Sequence, residues 1–421
     1  DLFFERNFVT KIPALLFLAF CPLWTWGESN PVASYLTWQR DPSTTMTVQW
    51  LTKKGEETHN LYYKKEGEKH WIIALAEQIA LPRELPYVLH RVEIFQLTPN
   101  TRYLFKPGKW EAETRQFYTL PNTPNETIRF VVGGDMYHDK VEHLLKTHRA
   151  AAKQAPQFAV LGGDIAYSST KRINSGTSKN SRWITFFQAW SEEMITPDGL
   201  SIPIIAAIGN HDVNGYYSQP PKEAAPFYAF FPFPDEKGFR VLDIGAHFSL
   251  IILDSGHTNP IDGKQSQWLE KVLSARKHIP HKFAAYHVPA YPSVRNFMND
   301  ISIQVRQNWV PLFEQYGLAA AFEHHDHAYK RTHPILKGHI DQCGVTYIGD
   351  GAYGVERVRP PKSPFHTWYL AQTAQVRHFI LATIDGNYRK YQAINADGKV
   401  FDQLQQEVLH SSFFPSLILL Y

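Results

Sequence analysis

The segment Phe158-Ala159-Val160-Leu161-Gly162-Gly163-Asp164-Ile165-Ala166-Tyr167 decides the fold. A short apolar run ends at Leu161, and two glycines and a carboxylate follow at once. A run of this length that is bounded by glycine is typical of a strand buried on both faces. Ligands of open α/β sheets bind beyond the carboxyl ends of such strands. Asp164 and Tyr167 therefore stand where a functional site is expected.

Short apolar runs of this kind recur through the C-terminal two thirds of the chain. Helical patterns at residues 139–153 and 265–278 alternate with short apolar runs, which predicts an α/β domain over residues 126–395. The apolar runs occupy residues 128–132, 158–161, 202–208, 248–253, 283–286, 318–322 and 345–348. Polar or charged residues directly follow most of these runs.

The N-terminal region has a different pattern. Residues 31–120 hold short stretches in which apolar and polar residues alternate, at 34–39, 45–50, 60–64, 90–95, 101–105 and 114–118. This pattern predicts an antiparallel β-sandwich, and a linker rich in proline and asparagine follows at 121–125. The region contains no cluster of potential metal ligands. We therefore interpret it as a structural or interaction module.

Composition limits the possible functions. The chain has 421 residues, enough for two domains with sizeable cores. Its 43 Lys and Arg against 40 Asp and Glu give a net charge of +3, too small to indicate nucleic-acid binding. There are 20 histidines, a good supply of metal ligands, but only two cysteines, Cys21 and Cys343.

The first residues resemble a targeting segment. Arg6 and Lys11 provide a positive flank, and residues 12–26 form an apolar run too short to favour a membrane span. We predict a signal peptide at residues 1–28, in preference to a retained anchor, and a secreted, periplasmic or cell-envelope protein with no stable membrane span. Removal of Cys21 with this segment leaves no structural disulfide. The apolar C-terminal residues 411–421 are also too few to span a membrane.

Five short motifs carry candidate chemistry, and each follows an apolar run. They are Asp135, Gly163-Asp164-Ile165-Ala166-Tyr167, Gly209-Asn210-His211-Asp212, His287 and Glu323-His324-His325-Asp326-His327. Any one of them alone is as well explained by a helix cap, a turn or a solvated loop. Together they offer oxygen and nitrogen donors without thiolates, which suit iron, zinc or manganese. A carboxylate can bridge two such ions, and two ions can clamp a phosphoryl group.

These motifs, with His-Ala-Tyr at 327–329, resemble those of the calcineurin-like metallophosphoesterases. The Tyr167 position is similar to that of the purple acid phosphatase branch. The stretch Met46-Thr47-Val48-Gln49-Trp50 resembles the fibronectin-like domain that precedes the catalytic domain in larger members. The resemblance implies a two-sheet β-sandwich flanked by helices, preceded by an all-β fibronectin-like sandwich.

The resemblance also implies a ligand set, carried over motif by motif. Iron(III) would be held by Asp135, Asp164, Tyr167 and His327, and a divalent iron, zinc or manganese ion by Asp164, Asn210, His287 and His325. Asp164 would bridge the two ions, and a metal-bound hydroxide would attack phosphorus. His211 is the candidate for phosphate contact or for protonation of the leaving group.

The chain departs from the family pattern at three places. Tyr137 replaces a usual glycine, and the superfamily's alternative histidine is absent there, which favours a tyrosinate ligand at Tyr167. His324 replaces the glycine before His-x-His, so it either contacts substrate or supports the ligands by packing. The paired histidines found beyond His287 in plant enzymes are missing, and Arg295 either takes their place as an anion clamp or is a surface residue.

The expected function is therefore hydrolysis of phosphomonoesters, with small phosphate esters as substrates bound by Asn210, His211, Arg295 and His324. Phosphodiester or nucleotide hydrolysis on the same metals is the alternative, because the ligand set does not fix the substrate. An envelope adhesion protein with a decayed phosphoesterase domain is a further alternative, which the complete ligand set disfavours.

Overall fold

The computed structural model describes residues 31–408, apart from gaps at residues 57, 83–84, 125, 139, 170–178 and 236–237. Its N-terminal part is all β. Strands β1 to β8 are Ala33–Thr37, Met46–Lys53, Asn60–Lys65, Ile72–Leu75, Glu77–Ile79, Tyr87–Ile94, Arg102–Gly108 and Arg115–Tyr118. Six of them lie where strands were predicted. Strands β4 and β5 were missed because residues 72–79 show no regular alternation of apolar and polar side chains.

The remainder mixes strands and helices. Strands β9 to β15 are Ile128–Gly133, Phe158–Leu161, Ile204–Ala206, Arg240–Ile244, Phe248–Ile252, His281–Ala285 and Ala320–Glu323. Strands β16 to β23 are Tyr329–Thr332, Ile335–Leu336, His339–Ile340, Thr346–Gly349, Leu370–Ala374, His378–Asp385, Tyr388–Asn395 and Val400–Glu407. Helices α1 to α6 are Val141–Ala152, Ser181–Glu193, Ala225–Phe230, Lys264–Ala275, Asp300–Asn308 and Val310–Gln315. All seven apolar runs overlap a strand, and both predicted helices are present as α1 and α4.

Two large sheets form the centre of the molecule. One has ten strands in the order β23-β22-β21-β9-β10-β11-β1-β2-β6-β5, and the other has seven in the order β12-β13-β14-β15-β19-β16-β20. Strands β9, β10 and β11 are parallel, and so are β13, β14, β15 and β19. Parallel neighbours end at the same edge of a sheet, so the loops that follow them gather there.

A layer of phenylalanines joins the two sheets. Phe130 of β9 stacks on Phe158 at a ring-centroid distance of 5.0 Å. Across the interface it packs against Phe248, Phe283 and Phe322 at 5.7, 5.8 and 6.0 Å. All five rings are fully buried. Aromatic pairs in such stacked and edge-on arrangements add to the stabilisation from burial.

Helices cover the outer faces of both sheets. Side chains of α1, α2 and α3 pack with the ten-stranded sheet in one apolar cluster. Side chains of α4, α5 and α6 pack with the seven-stranded sheet in another. The expected architecture, a two-sheet sandwich flanked by helices and preceded by an all-β region, is confirmed.

The N-terminal strands are not a separate layer. Strand β1 pairs in parallel with β11, with Thr37 opposite Ile204, and the Thr37 hydroxyl donates to the Ile204 carbonyl oxygen at 2.7 Å. One sheet therefore runs through both predicted domains, while β4-β3-β7-β8 forms the second sheet of the N-terminal part. The large sheet also continues beyond residue 395, because β23 ends at Glu407.

The predicted signal peptide at residues 1–28 and the apolar tail at 411–421 lie outside the described residues. Among residues 31–408 as described, none of the helices has the length and apolar character needed to cross a membrane.

Candidate metal centre

The predicted donors come from the loops at the carboxyl ends of parallel strands in both sheets. Asp135 and Asp164 follow β9 and β10, and Asn210 opens a short 3₁₀ helix after β11. His287 follows β14 in the facing sheet, and His325 and His327 follow β15. The phenylalanine layer holds these strand ends against each other, so donors far apart in sequence become neighbours.

One half of the centre joins Asp135, Tyr167 and His327. The Tyr167 hydroxyl donates to Asp135 Oδ1 at 2.9 Å and lies 3.0 Å from His327 Nε2. The same imidazole nitrogen lies 2.9 Å from Asp135 Oδ1. Three potential ligand atoms thus converge on a space that one cation could occupy.

The other half joins Asn210, His287, His325 and Asp164. His287 Nε2 lies 3.1 Å from Asn210 Oδ1, 3.1 Å from His325 Nδ1 and 3.4 Å from Asp164 Oδ2. Ligand atoms of Asp164, His287 and His325 all lie within 4.8 Å of one another, and the three residues are buried. A second cation fits between them.

Two further observations test whether this donor set suits metal ions. Asp164 Oδ2 is buried and lies 3.4 Å from His287 Nε2, but no hydrogen bond of good geometry from the described residues reaches it, so a bound cation would stabilise it. His287 Nδ1 lies 2.9 Å from the Gly162 carbonyl oxygen. A bond donated there directs Nε2 at the centre, where a bound cation would take the place of its proton, as in a metal-ligating histidine. The residues therefore fit a metal centre.

The backbone is strained at the same place. Twelve described residues other than glycine have positive φ, and five of them belong to the predicted ligand set: Asp135, Asp164, Tyr167, His325 and His327. Positive φ costs energy for residues with a Cβ, and such strain concentrates where a site imposes it. The loops are thus shaped to aim side chains at one point.

The candidate metal ligands differ in the direction of their pKa shifts. Burial alone would raise the pKa of Asp135, but His327 and His287 lower it below the usual value. Burial opposes protonation of His287, yet Asp164 and Asp135 raise its pKa to about 9. Burial and the adjacent Asp135 carboxylate raise the pKa of Tyr167 well above its usual value. Tyr167 can therefore ionise only when a strongly charged cation replaces its proton.

Asp212, the last residue of the Gly-Asn-His-Asp motif, supports the centre. It is buried and accepts backbone hydrogen bonds from Gly209 and Asp164 at 2.9 Å and from Ile165 at 3.0 Å. It thereby ties the loop after β10 to the loop after β11. The motif alone assigns Asp212 no role, although its place beside Asn210 and His211 pointed to one.

His211 lies beside the Tyr167 half of the centre. Its ring stacks on Tyr167 at a centroid distance of 4.5 Å, and its backbone N–H donates to Asp164 Oδ1 at 2.6 Å. The side chain is half-buried, so it can reach a molecule bound at the metals.

His324 lies behind the centre. It is 1% exposed, and a Cβ added to Gly134 or Gly162 would collide with its ring. The imidazole therefore fills the space that two glycines leave under the ligand loops. This placement favours the packing alternative for His324 over substrate contact.

Arg295 is half-buried at the rim of the centre. Its Nη1 donates to the His325 carbonyl oxygen at 2.6 Å and to Asp326 Oδ1 at 2.9 Å. Asp326 also accepts from the backbone N–H groups of Val294 and Arg295. The guanidinium is thus held against the loop of metal-ligand candidates, which fits an anion clamp better than a surface arginine.

Comparisons with known proteins agree with this geometry. The family model described as the purple acid phosphatase N-terminal domain matches residues 31–119, and that of the calcineurin-like phosphoesterases matches residues 128–329. Purple acid phosphatase 23 of Arabidopsis thaliana is 25% identical over 395 residues, which cover 84% of this chain and 82% of the relative. Acid phosphatase type 7 of Mus musculus is 24% identical over 421 residues, covering 89% and 90%.

Some relatives are longer: the match to purple acid phosphatase 15 of Arabidopsis thaliana covers 61% of that protein at 24% identity. Among solved structures, a purple acid phosphatase from yellow lupin seeds superimposes with a TM-score of 0.74 over 90% of this chain and 74% of its own, at 18% identity. The structure of PhoD gives 0.66 over 90% and 91%, at 12% identity. The chain belongs to the purple acid phosphatases, the calcineurin-like phosphoesterases that hydrolyse phosphoesters at a binuclear metal centre.

Proposed function

We propose that this protein is an acid phosphatase that hydrolyses small phosphomonoesters with an iron(III) ion and a divalent ion. The observation that carries the proposal is the Tyr167 hydroxyl, which lies within 3.0 Å of donor atoms of Asp135 and His327. A phenolate among hard oxygen and nitrogen donors is a ligand set for a trivalent ion.

Each predicted ligand has a place in this proposal. Asp135, Tyr167 and His327 would hold iron(III), while Asn210, His287 and His325 would hold iron, zinc or manganese. Asp164 would help to hold both ions, which its buried and poorly satisfied Oδ2 supports. The bound ions supply Lewis acidity and an activated water as the nucleophile.

Residues around the metals would bind the phosphate and protonate the leaving group. Asn210 and His211 are neighbours on one loop, and their side chains lie at the two halves of the centre, Asn210 by His287 and His211 against Tyr167, so both would contact a phosphate held there. His211 holds the proton that the leaving alcohol takes up. Arg295 contributes positive charge towards the phosphate oxygens as they gain charge. We assign His324 to packing beneath the ligand loops.

The visible spectrum, measured with metal analysis, tests the iron–tyrosinate assignment. The purified protein should contain two metals per chain and absorb in the green, and Tyr167→Phe should lose this band. Tyr353→Phe is the matched control, because Tyr353 is also buried but its hydroxyl bonds to His148 at 2.7 Å. A colourless zinc or manganese enzyme with full activity contradicts the iron assignment.

Substrate class is tested by turnover of para-nitrophenyl phosphate against its bis ester. Preference for the monoester is expected. A clear preference for the diester would instead support the alternative, phosphodiester or nucleotide hydrolysis on the same centre. Two bound metals without turnover of either substrate would favour a decayed, non-enzymatic protein.

We also propose a location outside the cytoplasm, secreted, periplasmic or envelope-bound. The apolar segment within residues 1–28 supports this, and amino-terminal sequencing of the mature protein tests it. A mature chain that retains residues 1–28 would contradict the signal peptide, and recovery of the protein in the cytoplasmic fraction would contradict the location.

A further inference from the structure

The loop between β19 and β20 brings a second arginine to the metal centre. Arg359 donates its backbone N–H to the carbonyl oxygen of His327 at 2.8 Å. The preceding Val358 packs against an apolar cluster formed by Tyr167, Ala352 and Val355. Both contacts hold this part of the loop against the half of the centre that contains Tyr167.

Unlike Arg295, this arginine is not in direct contact with any carboxylate of the described residues. Arg295 Nη1 lies 2.9 Å from Asp326 Oδ1, whereas the Arg359 guanidinium makes no ion pair or hydrogen bond with the described residues. It is nevertheless half-buried, and burial followed by the nearby charge of Arg295 lowers its pKa. A cation kept partly out of water, beside another cation and without a partner, is costly unless a ligand satisfies it.

The positive charge of Arg359 indicates that its ligand is an anion. Asp135, Asp326 and Tyr167 lie close enough to act electrostatically on Arg359, and its backbone contact with His327 places this arginine beside the residues that would hold the metals. Arg295 and the two metal ions can already neutralise the phosphate that reacts. A guanidinium offers a planar fork of donors that suits a further phosphate.

We propose that Arg359 binds a second phosphate group on the substrate, so that the preferred substrates are phosphomonoesters whose leaving group is itself phosphorylated. This inference rests on the proposed phosphatase activity and specifies its substrate class. Arg359 then acts in binding and sets specificity, while the metals and His211 act on the scissile bond.

A matched pair of substrates tests this inference: propyl phosphate and 1,3-propanediol bisphosphate, which differ by one phosphate, at constant ionic strength. For the wild type, kcat/KM per phosphate should be at least about tenfold higher for the bisphosphate, since a charge-assisted hydrogen bond is worth a factor of that order. Arg359→Gln should lose most of this ratio, mainly through KM, and Arg359→Lys should keep part of it. Arg357→Gln, an exposed arginine on the same loop, should keep the ratio.

Equal wild-type kcat/KM for the two substrates would overturn the inference, whether or not the variants fold. So would the same loss of both activities in Arg359→Gln, or an equal effect of Arg357→Gln. These outcomes leave phosphatase activity itself intact. Failure of the wild type to hydrolyse either substrate or para-nitrophenyl phosphate would instead overturn the proposed function.

Discussion

At the scale of single residues, His324 and the glycines around it show how the site is supported. The ring occupies the space beside Gly134 and Gly162, where a methyl group would collide with it. Glycine is therefore required at Gly162 for close packing rather than for an unusual φ. The motif that positions Asp164 depends on a histidine that is distant in sequence.

Gly162→Ala should destabilise the protein by about 2 kcal/mol, because the new methyl group overpacks a closed core. In Gly162→Ala/His324→Ala the methyl group gains room, so the double variant should lose less stability than the sum of the single variants. Urea unfolding of all four proteins measures this coupling. Additive losses would show that the two side chains do not share the space.

Asp212 and Asp326 play comparable parts at two loops. Each carboxylate accepts backbone hydrogen bonds from a neighbouring loop, Asp212 from the loop after β10 and Asp326 from the one after β14. Buried backbone N–H groups need such acceptors. These aspartates therefore position the candidate ligands without belonging to the predicted ligand set.

At the scale of elements, the pairing of β1 with β11 joins the N-terminal region to the catalytic sheet. Tyr35 of β1 stacks on Phe187 of α2 at 4.0 Å, and its hydroxyl donates to the Phe230 carbonyl oxygen at 3.0 Å. The buried Arg240 donates to the backbone carbonyls of Trp38 and Gln39. The N-terminal strands thus complete the core of the catalytic region.

A fragment of residues 121–408 expressed alone should therefore fail to form a native core, because removal of β1 exposes Phe187 and leaves the edge of β11 unpaired. The fragment should bind a hydrophobic dye and lack a cooperative thermal transition, and the chain from residue 31 to 408 serves as the control. Coexpression with residues 31–120 should restore folding and metal content. A fragment that unfolds cooperatively by itself would show that the two regions are independent.

At the scale of the whole molecule, buried neutral histidines make the fold sensitive to acid. His148 of α1 is fully buried against Trp190 of α2 and Tyr353, and burial lowers its pKa to about 3. Burial likewise lowers the pKa of His378 to about 4. An unfolded chain takes up these protons near pH 6.5, so it binds more protons than the folded state as the pH falls below that value.

His148 alone should lower the free energy of unfolding by about 2 kcal/mol between pH 7 and pH 5. At pH 5 its imidazole is protonated in the unfolded state but neutral in the folded state. His148→Gln should therefore show a shallower fall in the free energy of unfolding between pH 6.5 and 5. Denaturant unfolding across this range measures the difference, with the exposed His339→Gln as the control. Parallel curves for wild type and His148→Gln would contradict the assignment.

Local sequence alone was enough to locate the strands that carry the donors. Short apolar runs followed by glycine and a polar residue mark strands with donors at their carboxyl ends, as at Asp135, Asp164 and Asn210. This signal is local, because burial on both faces requires a continuous apolar run and a tight turn requires small residues. The same rule could not find β4 and β5, which are largely exposed.

Which donors meet was decided by the tertiary structure. Tyr167 and His327 are 160 positions apart, and their contact depends on two sheets held together by the phenylalanines around Phe130. Packing also determined which groups contact His324 and Arg295. It placed Arg359 next to His327. The spacing of apolar residues in the sequence indicates which side chains are buried. The distance between two loops depends instead on how whole sheets pack. Only the folded chain therefore determines the geometry of the metal centre.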